Sequence, residues 1–341
     1  MTAVADAGAG SAGTSAALRA PWGTARTVLR LHRAALAVWA LFVVGLSAGL
    51  VWLAEVTGKE ERKALEACDS AGQDWCDMTM IGLPGYENGL RWTGLLISYL
   101  FLGVAAFAGG ALTGRELENG TAHLAWTQGV SPTRWLTAKL AVPALVVTGG
   151  ATALVLVYRW AWGTNEDLLQ SGWMSDDGFL SRGPASVAYA LCALAVGALT
   201  GLLLRRTLPA LAVSVVTAGL ISFVVARYRS SFSPAVTVTS AAEDFDYPLT
   251  AWQVESGALI HGHRVPNFDV TKCYGGSTAT TQNCLDDLGV TGFYTTYHPE
   301  SHYWPIHLVE TGIVLTVAAL ATTAAFLLLR RRTAGAGRRE A

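Results

Sequence analysis

Histidine side chains, which bind metals and exchange protons, are concentrated near the end of the chain. Five of the seven histidines lie between positions 261 and 307, and His298 and His302 are four residues apart. That spacing puts two ligands on one face of a helix, as in the His-Glu-x-x-His zinc motif. Here the run reads His-Pro-Glu-Ser-His, so the glutamate is displaced and a proline interrupts it. Polar packing is therefore the favoured interpretation, and a metal site at His298 and His302 is the alternative.

Four of the five cysteines fall in two hydrophilic segments, with Cys68 and Cys76 in one and Cys273 and Cys284 in the other. An even number of cysteines outside the cytoplasm favours disulfide bonds. Three pairings are open, and the two bonds within the segments are the simplest. Metal binding by these thiols is the alternative, although no Cys-x-x-Cys spacing occurs. Cys192 lies in an apolar run and is predicted to serve packing.

Glu310 is an acidic residue inside the last apolar run of the chain. An acid inside a membrane span is a candidate functional residue by default. It lies one turn from the end of its run, so contact with water or with a neighbouring helix end is an equal alternative.

Motifs for nucleotide binding are missing from the sequence. No Gly-x-x-x-x-Gly-Lys-[Ser/Thr] occurs, because Gly58-Lys59 is followed by Glu60. Neither a Gly-x-Ser-x-Gly elbow nor a kinase or dinucleotide-binding signature is present. We therefore expect no bound cofactor and no enzymatic activity of this chain alone.

The composition indicates which elements must position these groups. Of the 341 residues, 52% are hydrophobic and only 14% are charged, whereas a soluble domain carries about a quarter charged residues. The mean hydropathy is +0.37. These values exclude a disordered chain and a small disulfide scaffold, and they predict a polytopic membrane protein. The net charge of −1 gives no support for nucleic acid as a partner.

Six apolar runs are long enough to cross a bilayer, which takes about 20 helical residues. They are Ala34–Ala54, Thr93–Leu112, Thr137–Tyr158, Pro184–Leu204, Leu208–Ala226 and His307–Leu329. The runs lack the alternation of a barrel, so the fold class is an all-α polytopic membrane protein.

Charge predicts that both chain ends face the cytoplasm. With that orientation the cytoplasmic segments hold 14 of the 24 Lys and Arg residues and only four of the 25 acids. The predicted organisation is a cytoplasmic arm with an interfacial helix (1–33), five spans with a cytoplasmic loop at 113–136 (34–226), an extracellular segment (227–306), a sixth span (307–329) and a basic tail (330–341).

The loop at 113–136 is too long for a turn and has the composition of an ordered element. Asn119-Gly120 breaks the chain, and Thr121 is expected to cap a short helix that ends before Gly129. Ser131-Pro132 has the sequence of a cap followed by the first residue of span three. Such a helix can transmit motion from a soluble partner, or it can simply anchor the bundle at the interface.

The same loop resembles the first cytoplasmic loop of ABC-2 type permeases. The resemblance lies in Glu116-x-x-x-Gly120-Thr121, in Leu-Ala-Trp-Thr-Gln at 124–128 and in Ser-Pro-Thr-Arg-Trp at 131–135, and it is closest to the actinobacterial permease-like branch. A weaker likeness covers 297–305 and Glu310.

The resemblance implies the membrane subunit of an exporter in a bacterial plasma membrane. A separate cytoplasmic ATPase would hydrolyse ATP, and a homodimer or a heterodimer with another permease would form the path. The residues implied in coupling are Glu116, Glu118, Gly120, Thr121, Trp126, Gln128, Arg134 and Lys139. Arg134 and Lys139 are equally readable as positive-inside charges without a partner. Two other functions stay open: a membrane-anchored extracellular metal-dependent enzyme, and a ligand-binding membrane protein.

Overall fold

A computed structural model of the chain describes residues 28–70, 85–169, 172–174, 178–241, 248, 250–273 and 278–336. Within these residues six helices are long and apolar enough to cross a membrane, which confirms the predicted helical spans. They are α1 (Arg33–Ser70), α2 (Gly85–Glu118), α4 (Pro132–Thr164), α5 (Ala185–Leu204), α6 (Thr207–Tyr228) and α8 (Tyr303–Ala336). Most of the predicted arm at 1–33 and the end of the basic tail lie outside the described residues.

Several helices extend beyond the apolar runs that predicted them. α1 continues past Ala54 through a charged stretch to Ser70, and α2 continues past Leu112 to Glu118. Apolar patterning marks only the part of a helix that meets hydrocarbon, because helical hydrogen bonding continues equally well in water. The loop predicted at 113–136 is consequently shorter, since its first residues belong to α2.

α5 is at the centre of the bundle and approaches α2 closely. An added Cβ at Gly197 would lie 2.5 Å from the Ala108 Cβ and 2.8 Å from the Gly109 nitrogen. One turn later, Gly201 faces Thr113 and Gly114 in the same way. The contact falls where α2 widens into π-helical turns at Phe107–Gly114. Gly197 and Gly201 therefore pack helices within one chain.

The hydrophilic segment after α6 contains a four-stranded antiparallel sheet, which no pattern in the sequence indicated. The strands are β1 (Val236–Ser240), β2 (Trp252–Ile260), β3 (His263–Pro266) and β4 (Val290–His298), in the order β1-β4-β2-β3. β2 and β3 are joined by His261-Gly262, both at positive φ, which is the geometry of a two-residue hairpin turn.

A disulfide bond closes part of this segment. Cys273 and Cys284 are bonded with a Cα–Cα distance of 5.6 Å, which confirms the pairing within the second segment. Cys284 lies on the short helix α7 (Thr278–Asp287). Cys68 is also disulfide-bonded, and its simplest predicted partner, Cys76, lies outside the described residues. Cys192 is a buried free thiol, as its apolar run predicted.

We predict that Gly197→Ala destabilises the protein by about 1–3 kcal/mol, because the new methyl group overlaps atoms of α2 that cannot move away cheaply. The measurement is thermal unfolding in detergent. Gly149→Ala on α4 is the control, because a Cβ there meets no atom within 4 Å. It should raise stability by up to about 1 kcal/mol through helix propensity. Equal melting temperatures for the two variants would contradict the close approach.

Candidate functional site

The loop between α2 and α4 contains the short helix that the sequence predicted. Gly120, at φ 72°, turns the chain out of α2 and precedes α3 (Thr121–Thr127). Gly129, at φ 89°, ends the element, and both positive φ angles suit glycine. The Ser131 side chain accepts a hydrogen bond from the Arg134 nitrogen at 3.4 Å, which confirms the predicted cap of α4.

The predicted capping role of Thr121 is wrong. Gly120 occupies the cap position, and Thr121 is the first residue inside α3. Its hydroxyl donates instead to the Glu116 carbonyl oxygen at 3.2 Å. Thr121 thus ties α3 back to the last turn of α2.

Glu116 and Lys139 form a buried ion pair between α2 and α4. The Lys139 side chain is only 4% exposed, and its ammonium also lies 3.3 Å from His32 Nε2. The other Glu116 carboxylate oxygen accepts from Trp135 Nε1 at 3.2 Å. The resemblance implied contact of Glu116 and Lys139 with a partner, whereas the structure turns them towards each other and joins α2, α4 and the start of α1.

Glu118 connects the loop to α6. Its carboxylate accepts from the Thr207 backbone nitrogen at 2.8 Å and from the Thr207 hydroxyl. Thr207 is the first residue of α6, where the free N–H groups and the helix dipole favour a negative charge. Glu118 therefore caps a neighbouring span, a role that the sequence motif did not indicate.

An apolar cluster attaches the loop to two further spans. α3 contributes Ala122, and the start of α4 contributes Trp135 and Leu136. Their buried partners are Leu202 at the end of α5 and Ala325 and Leu329 near the end of α8. Through ion pair, cap and apolar cluster, the loop contacts the same end of five spans and the start of α1.

The opposite face of the loop is exposed. Leu124 is 58% exposed, and Gln128 at the end of α3 and Arg134 at the start of α4 are also exposed. Trp126 is half-buried and packs edge-on against Trp135, with ring centroids 5.8 Å apart. Its indole nitrogen has no hydrogen-bond partner among the described residues. Leu124 is thus an exposed leucine at the tip of an otherwise anchored element.

At the other end of the bundle Glu310 is fully buried, so it does not reach water. Its carboxylate accepts from Arg229 Nε at 2.7 Å and from Arg229 Nη2 at 2.9 Å, a bidentate ion pair. The Tyr189 hydroxyl donates to the same carboxylate at 2.9 Å. The arginine also lies over the Phe179 ring, 4.4 Å from its centroid. This network joins α5, α8 and the end of α6.

Arg229 was not singled out from the sequence. The sequence did contain a signal for it. An acid inside a span needs a cation nearby, and Arg229 directly follows the preceding span.

His298 and His302 are in contact, but they do not share a helix face as their spacing suggested. His298 ends β4 and His302 lies in a 3₁₀ turn, because Pro299 separates the two elements. Their Nδ1 atoms are 3.0 Å apart, and His298 Nε2 donates to the Ser230 carbonyl oxygen at 3.0 Å. Both nitrogens of His298 are thus engaged. Among the described residues no group of three or more His, Cys, Asp or Glu is placed to hold a metal ion.

The family described as ABC-2 membrane transporter related matches residues 33–229, which include the first five spans and the whole loop. Comparison with curated proteins and with solved structures returns no match. The narrower likeness to an actinobacterial branch stays a prediction.

We predict that Glu310→Gln costs about 3–5 kcal/mol of stability, because it leaves the Arg229 guanidinium buried without a counter-charge. Glu300→Gln, at an exposed glutamate just before α8, is the matched control and should be neutral. Thermal unfolding in detergent measures both. The double variant Glu310→Leu with Arg229→Met should recover most of the loss, and losses that simply add would contradict the pairing.

We also predict that the stability of the protein depends on pH through His298. Burial holds the pKa of His298 below the ordinary value of 6.5, so folding favours the neutral ring. The resulting stability is complete above pH 6.5 and is lost as pH falls below it, since the unfolded chain then binds the proton more readily. The melting temperature should therefore fall between about pH 7.5 and about pH 5.5.

His298→Asn should reduce that fall, whereas His263→Asn, at an exposed histidine of the same sheet, should leave it unchanged. An identical fall in wild type and His298→Asn would show that this histidine does not carry the effect.

Proposed function

This chain belongs to the ABC-2 membrane transporter related family, and on that premise we propose that it is the permease subunit of an ATP-binding cassette exporter. A separate ATPase subunit binds and hydrolyses ATP, and a second permease, identical or homologous, completes the path. The observation that carries the proposal is that the loop between α2 and α4 has one exposed face and one buried face. Its exposed face is free to meet a soluble partner, and its buried face is attached to the spans.

The proposed mechanism is mechanical. An ATPase docks on the face around Leu124, and its closure displaces α3. The Glu116–Lys139 pair carries that displacement to α4 and the start of α1, and the Glu118 cap carries it to α6. The apolar cluster carries it to α5 and α8. Because packed interfaces switch between discrete arrangements, a small push can reorient whole spans.

Charge supports an orientation with the loop in the cytoplasm. The loop end of the bundle carries a surplus of basic residues, which the positive-inside rule assigns to the cytoplasm. They include Arg115, Arg134, Arg205, Arg206, Arg330, Arg331 and Arg332. The sheet and the Cys273–Cys284 disulfide lie at the opposite end, and a disulfide suits an extracellular segment. We therefore place the sheet outside the cell.

We predict that Leu124→Glu lowers the amount of ATPase that co-purifies with the full chain by about tenfold, because it places a charge in the centre of an apolar docking contact. The measurement is co-purification from the native host in mild detergent, with the ATPase identified by mass spectrometry. Leu288→Glu is the matched control, because Leu288 is an exposed leucine at the sheet end of the protein.

Arg134→Gln tests the exposed cation of the same face and should weaken recovery about threefold, as expected for one peripheral charge. Melting temperatures of all three variants should equal that of wild type, since the substituted side chains are exposed. Full recovery of the ATPase with Leu124→Glu, or no ATPase with wild type, would refute docking at this face.

A further inference from the structure

An apolar groove of about 650 Å³ runs between α1, α2 and α4. Its walls are aromatic and aliphatic, and include Trp39, Phe42, Tyr99, Phe107, Pro143 and Val146. The volume is within the usual range of small-molecule sites, about 300–1,000 Å³. The groove is distinct from the loop face around Leu124.

The groove is open to the side of the bundle. Val38 on α1 and Leu96 and Tyr99 on α2 line it, and each remains more than half exposed. Gly103 contributes no side chain to the wall, and a Cβ placed there would meet no atom within 4 Å. A hydrocarbon chain can therefore enter directly from the bilayer.

The groove becomes polar at its loop end. Val28 and His32 line both the groove and a second cleft of about 790 Å³, so the two cavities adjoin. The second cleft is lined by Arg115, Gln128 and Lys139 among other residues. The apolar groove thus adjoins this second cleft, hereafter the polar chamber, at the level where α2 ends.

Arg115 and Lys139, which line the polar chamber, carry more positive charge than Glu116 neutralises. Lys139 is balanced by Glu116, whereas Arg115 is exposed and forms no ion pair with any described residue. Lys139 has three N–H donors, of which Glu116 and His32 take two. A negatively charged ligand group would therefore find the Arg115 guanidinium and one Lys139 N–H that has no partner among the described residues.

We propose that the groove and the chamber together bind an amphiphile with an acyl chain and an anionic head group, drawn from the membrane leaflet that borders the loop. The acyl chain lies along α2 beside Gly103, and the head group lies beside Arg115. Van der Waals contact with the groove walls supplies affinity, because an acyl chain that leaves the bilayer gains no hydrophobic free energy, and the guanidinium selects the charge of the head group. Binding needs no ATPase, so it is separable from the proposed function.

The test uses the purified full chain in phosphatidylcholine nanodiscs. The probe is a lysophosphatidylglycerol with a diazirine on its acyl chain, and the comparison probe is the lysophosphatidylcholine with the same chain. After irradiation, mass spectrometry locates the labelled peptides. We expect labelling centred on α1, α2 and α4, with the anionic probe preferred by about tenfold, the effect of one charge-assisted contact.

Gly103→Phe should lower labelling by both probes at least about fivefold, because the ring fills the groove. Gly149→Phe is the matched control, since this helical glycine also has open space but does not line the groove. Arg115→Gln should abolish the preference for the anionic probe while labelling by the zwitterionic probe is kept. Arg134→Gln, which removes a cation outside the chamber, should change neither the amount of labelling nor the preference for the anionic probe.

Three outcomes would overturn the assignment. The first is labelling spread evenly over the lipid-facing helices, and the second is the same response to Gly103→Phe and Gly149→Phe. The third is a change in the number of chains per particle with Gly103→Phe, measured by native mass spectrometry, because the groove would then be an interface between copies. Any of these three outcomes with intact ATPase recovery contradicts the lipid-binding proposal alone. Loss of ATPase recovery with the expected labelling contradicts only the docking proposal.

Discussion

The pairing of charges buried among apolar helices is the constraint on which this structure depends. A charge without a partner is costly in a low-dielectric interior, so the helices that carry such charges must meet. Glu310 and Arg229 meet at the sheet end, and Glu116 and Lys139 meet at the loop end. Glu310 and Arg229 are 81 residues apart in the sequence, and Glu116 and Lys139 are 23 residues apart. The two pairs therefore fix helix positions at opposite ends of the bundle, where apolar contacts alone would allow sliding.

Burial divides the bundle into a fixed centre and an open flank. The apolar stretch of α5 is 72% buried, whereas that of α1 is only 6% buried. α5 owes its place to small residues such as Gly197, which let it approach the π-helical turns of α2. In the apolar stretch of α1, Gly45 and Gly49 meet no atom within 4 Å. This stretch instead touches α4 through large side chains such as Trp39, whose indole donates to the Val146 carbonyl oxygen at 3.2 Å. Wide side chains hold helices apart, which leaves the groove between α1, α2 and α4.

Features that depend on neighbouring residues, such as spans and helix caps, were predictable from the sequence. Contacts between residues distant in the sequence, such as strand pairs, were not. Apolar length revealed the six spans, and Ser131-Pro132 revealed the start of α4 because a cap acts on its own helix. The sheet was missed because its hairpin turn is His261-Gly262, a weak turn signal, and because β1 pairs with β4 across more than 50 residues. Lys139 is predicted from the sequence either as a contact with a partner or as a positive-inside charge without one, whereas it lies buried in an ion pair with Glu116. Nothing in its neighbourhood in the sequence shows that Glu116 and His32 enclose it.

The contacts of the loop between α2 and α4 are short, varied and directed at different spans. A salt bridge, a carboxylate cap and a close-packed apolar cluster cannot all be stretched by a small displacement, so α3 must move with the helix ends that it touches. Leu124 belongs to none of these contacts, although it lies only two residues from the buried Ala122. In the proposed mechanism, recognition and transmission would therefore occupy opposite faces of one short helix.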